Sequence, residues 1–228
     1  MCIRDRAILV HIIIAVVYTT PWDNYLVATS VWWYDPERVT GITLGWVPIE
    51  EYTFFVLQTW LTGMWLVWLT RRLPPAQQWT PSGTLRTVAT ILLTILWLPF
   101  VLFLIQGVTP ATYISLILAW ALPPIILQLA FGVDILWRYR NLVLTTIAVP
   151  TIFLALADTL AIQIGIWTIS PEQTTGIHFP GGLPLEEFLF FLVTNVLVGF
   201  GVTLMLAQES RGRVPFLRRR TTTEGADA

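Results

Sequence analysis

Lysine is absent from this chain, and cysteine and histidine are scarce, with one and two residues respectively. Without a lysine no retinal Schiff base can form. Cys2 alone supports neither a disulfide framework nor a thiolate metal site. His11 and His178 lie far apart in sequence, with no partner at metal-ligand spacing. We therefore expect no metal site, and we interpret both histidines as structural.

Several sequence motifs of catalysis are also missing. No Asp-Asp-x-x-Asp run is present to hold magnesium on a diphosphate, which argues against a prenyl-diphosphate transferase. No Gly-x-Gly-x-x-Gly follows a strand, so a flavin or nicotinamide domain is not expected. Gly-x-Ser-x-Gly does not occur either. We predict that the protein needs no cofactor, and the net charge of -1 predicts no nucleic-acid partner.

Apolar residues, in contrast, are abundant. They make up 55% of the chain against 12% charged residues, and the mean hydropathy is +0.70. Several runs reach the roughly 20 residues that a spanning helix needs, and they are continuously apolar instead of alternating as in a β-barrel. The sequence therefore predicts an all-α, polytopic transmembrane helical bundle of about six spans. The predicted spans are 7–21, 48–70, 86–106, 112–132, 142–163 and 184–206.

The arginines predict how the bundle is oriented. They cluster before the first span, between alternate spans and after the last one, and only Arg38 lies elsewhere. The positive-inside rule then makes these arginine-rich loops and the C-terminus cytoplasmic in a multi-pass protein of the cell membrane. Both long loops, 22–47 and 164–183, face the opposite side. Residues 207–228 are predicted to form a disordered basic tail that contacts anionic lipid.

The amino end differs from the rest. Residues 1–6 are too short and polar for a signal leader, and the first predicted span stops early at Pro21. We expect that the true amino end, together with a first helix, is missing or has been replaced by sequence of artificial origin.

An internal duplication organises the chain. Asp23 aligns with Asp158 and Trp32 with Trp167 at an offset of 135 residues, and the blocks Pro48–Phe55 and Pro184–Phe191 match at 136. We assign a first repeat to 7–84 and a second repeat, with a connecting helix, to 85–206. Four predicted spans separate equivalent points, so the repeats are parallel and both blocks lie at one membrane face.

Each block lies at the start of a span, has two adjacent glutamates and ends in two adjacent phenylalanines. Proline fits the first turn of a helix, so the glutamates lie in that turn. Helical periodicity then places a carboxylate, an aromatic ring and an amide in one column on each helix. The two columns are Glu51, Phe55 and Gln58, and Glu187, Phe191 and Asn195.

Two structural interpretations compete with a functional one. Acidic residues in a first helical turn often only complement the helix dipole, by about 0.3 to 1 kcal/mol. Tryptophans such as Trp22, Trp32 and Trp167 also fit an interfacial aromatic belt. Repetition of the whole block, with an aspartate in register on the preceding helix, favours function for the acids.

The segments Thr20–Leu26, Val47–Tyr52 and Leu183–Phe191 closely resemble the lycopene cyclase domain family of integral-membrane carotenoid cyclases. The resemblance covers about Ala7 to Leu206 and both repeats, as in the fused form of the family. One departure is Thr159, which stands where the first repeat has Asn24.

The resemblance implies that the chain is an enzyme, an intramolecular lyase or isomerase, that cyclises the linear ends of lycopene to β-ionone rings without net redox. An acid protonates the end-group double bond, and a base removes a proton after ring closure. Adjacent carboxylates in a dry pocket tend to share one proton, so each glutamate pair is a candidate for either role. We expect Glu51 and Glu187 to supply acid and base, tuned by Glu50, Glu186, Asp23 and Asp158.

Aromatic side chains would then bind the substrate and stabilise its cation. The predicted substrate-binding residues are Phe54, Phe55, Phe190, Phe191, Trp32, Trp167, Gln58 and Asn195. Lycopene or another linear carotenoid and the lipid bilayer are the expected partners, with homo-oligomerisation or association with other carotenoid enzymes left open. A carotenoid hydratase, or a non-catalytic carotenoid-binding scaffold, is the alternative.

Overall fold

A computed structural model describes residues 3–76 and 79–214 of the chain. Its described part contains seven α-helices, four short β-strands and one 3-10 turn. The helices are α1 Ile3–Ala28, α2 Ile49–Leu69, α3 Gly83–Gln106, α4 Thr112–Arg138, α5 Arg140–Gln163, α6 Leu185–Leu206 and α7 Gln208–Arg211. The strands are β1 Trp32–Tyr34, β2 Thr43–Leu44, β3 Val47–Pro48 and β4 Trp167–Ile169, and the 3-10 turn is Thr109–Ala111.

The long helices form a membrane bundle. Four of them, α3, α4 with its preceding turn, α5 and α6, are long and apolar enough to cross a bilayer. Helix α3 has no buried residue and packs on α4, so most of its apolar surface faces outward. These observations confirm the predicted all-α membrane fold. The short strands were not predicted, because they lie within the two loops.

Helix α1 is longer than predicted. The span was expected to stop at Pro21, whereas the helix continues through Pro21 to Ala28. Proline cannot donate its backbone hydrogen bond, and the Thr20 hydroxyl hydrogen-bonds within the preceding turn, to the carbonyl of Val16 at 2.6 Å. Asp23 therefore lies on a helix, two residues beyond the proline.

A pseudo-two-fold axis relates the repeats. β1 pairs antiparallel with its own counterpart β4, with Trp33 opposite Thr168 at the centre of the register. On either side, Asp35 N–H bonds to Ile166 O and Ser170 N–H to Val31 O, both at 2.9 Å. α1 packs on α2 as α5 packs on α6, and α2 meets α6 in the middle. The two long loops therefore lie together at one end of the bundle.

The segment after α6 folds onto the opposite end. Arg138 binds Glu209 of α7, and Arg213 binds the buried Asp134, each at 2.5 Å. A disordered tail beginning at residue 207 is therefore a wrong prediction for residues 207–214, because two ion pairs anchor them. Residues 215–228 lie outside the described part of the chain.

Candidate active site

Four carboxyl side chains converge on one cavity between the repeats. Asp23 comes from α1 and Glu51 from α2, and the pseudo-two-fold axis adds Asp158 from α5 and Glu187 from α6. The cavity has a volume of about 200 Å³ and mostly apolar walls. Both aspartates are 4% exposed and Glu187 is 7% exposed. The acids that the sequence placed at one membrane level thus share one site.

Each aspartate accepts a hydrogen bond from the tryptophan nine residues further along the chain. Trp32 Nε1–H donates to Asp23 Oδ1 at 3.0 Å, and Trp167 Nε1–H donates to Asp158 Oδ1 at 2.8 Å. Because the short strands carry both tryptophans, the β1–β4 pairing fixes their indoles over the cavity. The other oxygen of each aspartate is buried without a hydrogen-bond partner in the described structure.

The two neighbouring glutamates of each block point in different directions. Glu50 Oε1 accepts the backbone N–H of Thr40, and Glu186 Oε1 accepts that of Thr175, each at 2.7 Å. Successive residues on a helix point about 100° apart, so only one member of each pair faces the cavity. Glu50 and Glu186 thus secure the loops through one carboxylate oxygen each, and proton sharing within a glutamate pair stays a prediction.

Glu187 has a partner that Glu51 lacks. Tyr113, on α4, donates its hydroxyl to Glu187 Oε1 at 2.5 Å and is 3% exposed. Glu51 interacts electrostatically with Asp23 and Asp158, and no hydrogen-bond donor contacts it within residues 3–76 and 79–214. Sequence reasoning missed Tyr113, since α4 lies outside the repeated blocks and carries no motif.

Aromatic rings wall the cavity. The six aromatic residues predicted to bind substrate, Phe54, Phe55, Phe190, Phe191, Trp32 and Trp167, all line it. The ring centroids of Phe54 and Phe191 lie 6.0 Å apart in an edge-to-face arrangement, so the two repeats meet through these rings. Trp22, which also fits an interfacial belt, is a further wall residue.

The two predicted amides lie deeper. Gln58 donates to Thr194, its counterpart in the second repeat, at 2.5 Å. Asn195 is fully buried and bonds to Thr62 and Thr151. Neither amide lines the acid cavity, because each lies about two helical turns beyond the glutamate of its helix.

The arrangement is suited to proton transfer in an apolar space. Four carboxyl groups surround a volume walled by rings, and Glu187 also interacts electrostatically with Asp158, Glu51 and Asp23. So many buried acids cannot all be ionised, because like charges in a low dielectric repel strongly. Some must carry a proton. In the described part of the chain, no group of three or more acidic, histidine or cysteine side chains is placed to hold a metal ion.

Comparisons with known proteins identify the family of the chain. The sequence matches the lycopene cyclase family over residues 4–69 and 110–205. It is 43% identical over 203 residues to the lycopene beta-cyclase of Halobacterium salinarum, covering 88% of this chain and 83% of that protein. No solved structure matches the fold.

Fungal relatives are longer. The bifunctional lycopene cyclase/phytoene synthases of Phaeosphaeria nodorum and Leptosphaeria maculans are 38% and 39% identical over 206 and 200 residues. These alignments cover 85% and 82% of this chain but only 34% of each fungal protein.

Proposed function

The chain belongs to the lycopene cyclase family, and we propose that it closes the linear end groups of lycopene into β-ionone rings by acid–base catalysis. One observation carries the proposal: Glu51 and Glu187 come from pseudo-symmetric helices and line the same aromatic cavity, together with Asp23 and Asp158. An isomerisation that adds one proton and removes another needs no further reactant.

The reaction balances within this cavity. A carboxylic acid gives its proton to the terminal double bond of the end group, which leaves a tertiary carbocation. The neighbouring double bond attacks that cation, so a six-membered ring forms and the positive charge moves to a ring carbon. A carboxylate then takes a proton from the adjacent ring carbon, and a ring double bond results. Proton transfer between the acids restores the starting state.

The hydrogen bonds favour one division of roles. Tyr113 donates to Glu187, and such a bond stabilises an ionised carboxylate, so Glu187 is the base. Glu51 faces the cavity without a donor among the described residues, which favours its neutral form, so Glu51 is the acid. Asp23 and Asp158, held by Trp32 and Trp167, relay the returning proton and orient both glutamates.

The walls protect the cation. Faces of Phe54, Phe55, Phe190 and Phe191 stabilise positive charge by about 0.5 to 2 kcal/mol each, without reacting with it. The apolar lining also keeps water from adding to the carbocation, which favours ring closure over hydration.

Expression in a lycopene-accumulating bacterium tests the function directly. The pigment should change from red to orange-yellow, and chromatography should reveal products of unchanged mass that carry one or two β-rings. A more polar, heavier pigment would identify a hydratase. Unchanged lycopene, with the protein present in the membrane, would contradict an enzymatic role.

Topology follows from the same arrangement. We infer that the end bearing Arg138 and Arg213 is cytoplasmic and that the loops carrying β1 and β4 face the other side. Pairing of β1 with β4 at one end, and the ion pairs of α7 at the other, support this orientation. Reporter fusions after residue 214 and within 36–42 should report opposite sides.

Association with a second copy or with other carotenoid enzymes would pass a water-insoluble substrate along the membrane.

A further inference from the structure

A second cavity, of about 310 Å³, adjoins the acid cavity. It lies between α1, α2, α4 and α6 and shares Phe55 and Phe190 with the acid cavity, so those two rings are the wall between the two spaces. Its deepest residues on α1 and α6 are His11 and Val198. The distance along α1 from Asp23 to His11 is roughly 18 Å at 1.5 Å per residue, more than half the thickness of a bilayer's hydrocarbon core.

This second cavity opens toward lipid between α1 and α4. Ile14 and Tyr18 on α1 and Leu127 on α4 line it and are 54%, 41% and 71% exposed. Side chains bridge the two helices on the side of the opening that is nearer the loops. Tyr18 donates to Trp120 O at 2.9 Å, and Trp22 donates to Leu116 O at 3.0 Å. A molecule dissolved in the membrane can therefore reach the cavity without crossing water.

A stack of aromatic rings runs from this opening to the acids. Tyr18 stacks on Trp120 with 5.5 Å between ring centroids, Trp120 on Trp22 at 4.6 Å, and Trp22 on Phe190 at 5.6 Å. The planes of successive rings differ by 20°, 19° and 11°. Such a row of nearly parallel π faces matches a flat conjugated chain, which packs by dispersion and offset stacking.

Several polar groups of the cavity have hydrogen-bond partners, whereas Trp120 Nε1 and Gln128 Oε1 are buried without one in the described structure. Gln58 donates to Thr194, and Gln128 donates its amide N–H to the carbonyl of Leu197 at 2.9 Å. Most of the cavity's surface is nevertheless hydrocarbon, as an apolar occupant requires.

The pseudo-symmetric position on the other side of the bundle is filled differently. The positions equivalent to Thr59 and Val198 are Asn195 and Thr62, and Asn195 there bonds to Thr62 at 2.6 Å and to Thr151 at 3.1 Å. This network joins α2, α5 and α6 at the depth where the second cavity lies on the α1 side. The route to the acids is thus asymmetric although the acids are symmetric.

We propose that the second cavity is the binding subsite for the conjugated chain of the linear carotenoid, reached laterally from the bilayer between α1 and α4. The inference rests on the proposed function for the identity of the ligand. The end group passes Phe55 and Phe190 to reach Glu51 and Glu187, while the polyene lies along the aromatic stack. Cyclising the second end then requires that the product leave and return in the reverse direction.

Filling the cavity tests the proposal. Ala15 lines it on α1, and Ala15→Trp should lower kcat/KM for lycopene by roughly tenfold or more, since the indole would occupy the space that the polyene needs. Ala148→Trp on the exposed face of α5 is the matched control and should stay within about twofold of the unmodified protein. The second readout is the amount of lycopene that co-purifies with each change in a Glu51→Gln background, and it should fall for Ala15→Trp alone.

A folded Ala15→Trp protein that binds and turns over lycopene normally would overturn the subsite. If that variant does not fold, Leu127→Trp at the exposed opening tests the subsite in its place. Leu156→Trp on the exposed face of α5 is its control. Leu127→Trp should raise KM several-fold with kcat unchanged, and an unchanged KM would overturn the proposal. If the protein with Glu51 intact formed no rings but retained lycopene in a way that depends on Ala15, the proposed function would be contradicted while the subsite would stand.

Discussion

Tyr113 on α4 donates a 2.5 Å hydrogen bond to Glu187 on α6. This contact distinguishes the two pseudo-symmetric glutamates, because Glu51 has no such donor in the described structure. Tyr113→Phe keeps the ring and removes only the hydroxyl. A hydrogen bond to a charged group contributes about 1.5–3 kcal/mol, so the single-turnover rate of cyclisation should fall roughly 10- to 100-fold. Lycopene retention should stay unchanged, since the packing is preserved.

Tyr139→Phe provides the matched control. Its hydroxyl also bonds to a glutamate, Glu209 at 3.3 Å, but at the far end of the bundle. That variant should cyclise lycopene at close to the unmodified rate. Equal rates in the two variants would argue that Tyr113 does not act through Glu187.

Gly45 holds the loop against the helix that carries Asp23. Its φ is +72°, and a Cβ there would lie 2.1 Å from Oδ1 of Asn24, which accepts the backbone N–H of Trp46 at 2.8 Å. Gly45→Ala should therefore lower the melting temperature in detergent and also slow cyclisation, because Asn24 must move and Asp23 adjoins it.

Gly41→Ala separates the two causes of that loss. Gly41 has φ +78° with open space around its Cβ position, so alanine there has only the conformational cost of about 1–2 kcal/mol. The melting temperature should fall less than for Gly45→Ala. If both substitutions lowered it equally, the contact with Asn24 would be irrelevant.

Proton donation by a carboxylic acid predicts an isotope pattern. Protein equilibrated in D₂O carries deuterium on its exchangeable acids. A single turnover, with protein in excess over lycopene, should therefore add one deuterium to each ring that forms. Mass spectrometry of the separated monocyclic and bicyclic products measures the gain. Unlabelled rings would mean that hydrogen moves within the substrate, and the carboxyl groups would lose their assigned role.

Much of the site could be predicted from the sequence, because the internal duplication repeats the same types of residue at a fixed offset. The offset between Asp23 and Asp158, and between Glu51 and Glu187, predicted four acids at one level, and the structure brings these four into one cavity. The aromatic wall followed from the same blocks. Membrane helices were predicted because long apolar runs have few other folded states.

What the sequence did not predict depends on contacts between non-equivalent elements. The hydroxyl of Tyr113 reaches Glu187 only because α4 packs on α6, and nothing in the residues around it signals that contact. The loop partner of Glu50 is the backbone N–H of Thr40, which any residue except proline provides, so the sequence does not signal it. Helical periodicity placed Gln58 below Glu51 correctly, but not its bond to Thr194 across the axis.

The most direct test of the account is ring formation per molecule of protein in four matched variants. Glu51→Gln and Glu187→Gln remove the proposed acid and base, and general acid–base catalysis is worth roughly 10²–10⁴-fold, so each should reduce cyclisation by at least about 10²-fold. Glu50→Gln and Glu186→Gln change the neighbouring carboxylates that bind Thr40 and Thr175 instead, and these proteins should still form rings once they reach the membrane. Full activity in Glu51→Gln or in Glu187→Gln would contradict the assignment of acid and base. Loss of activity confined to Glu50→Gln and Glu186→Gln would contradict it as well.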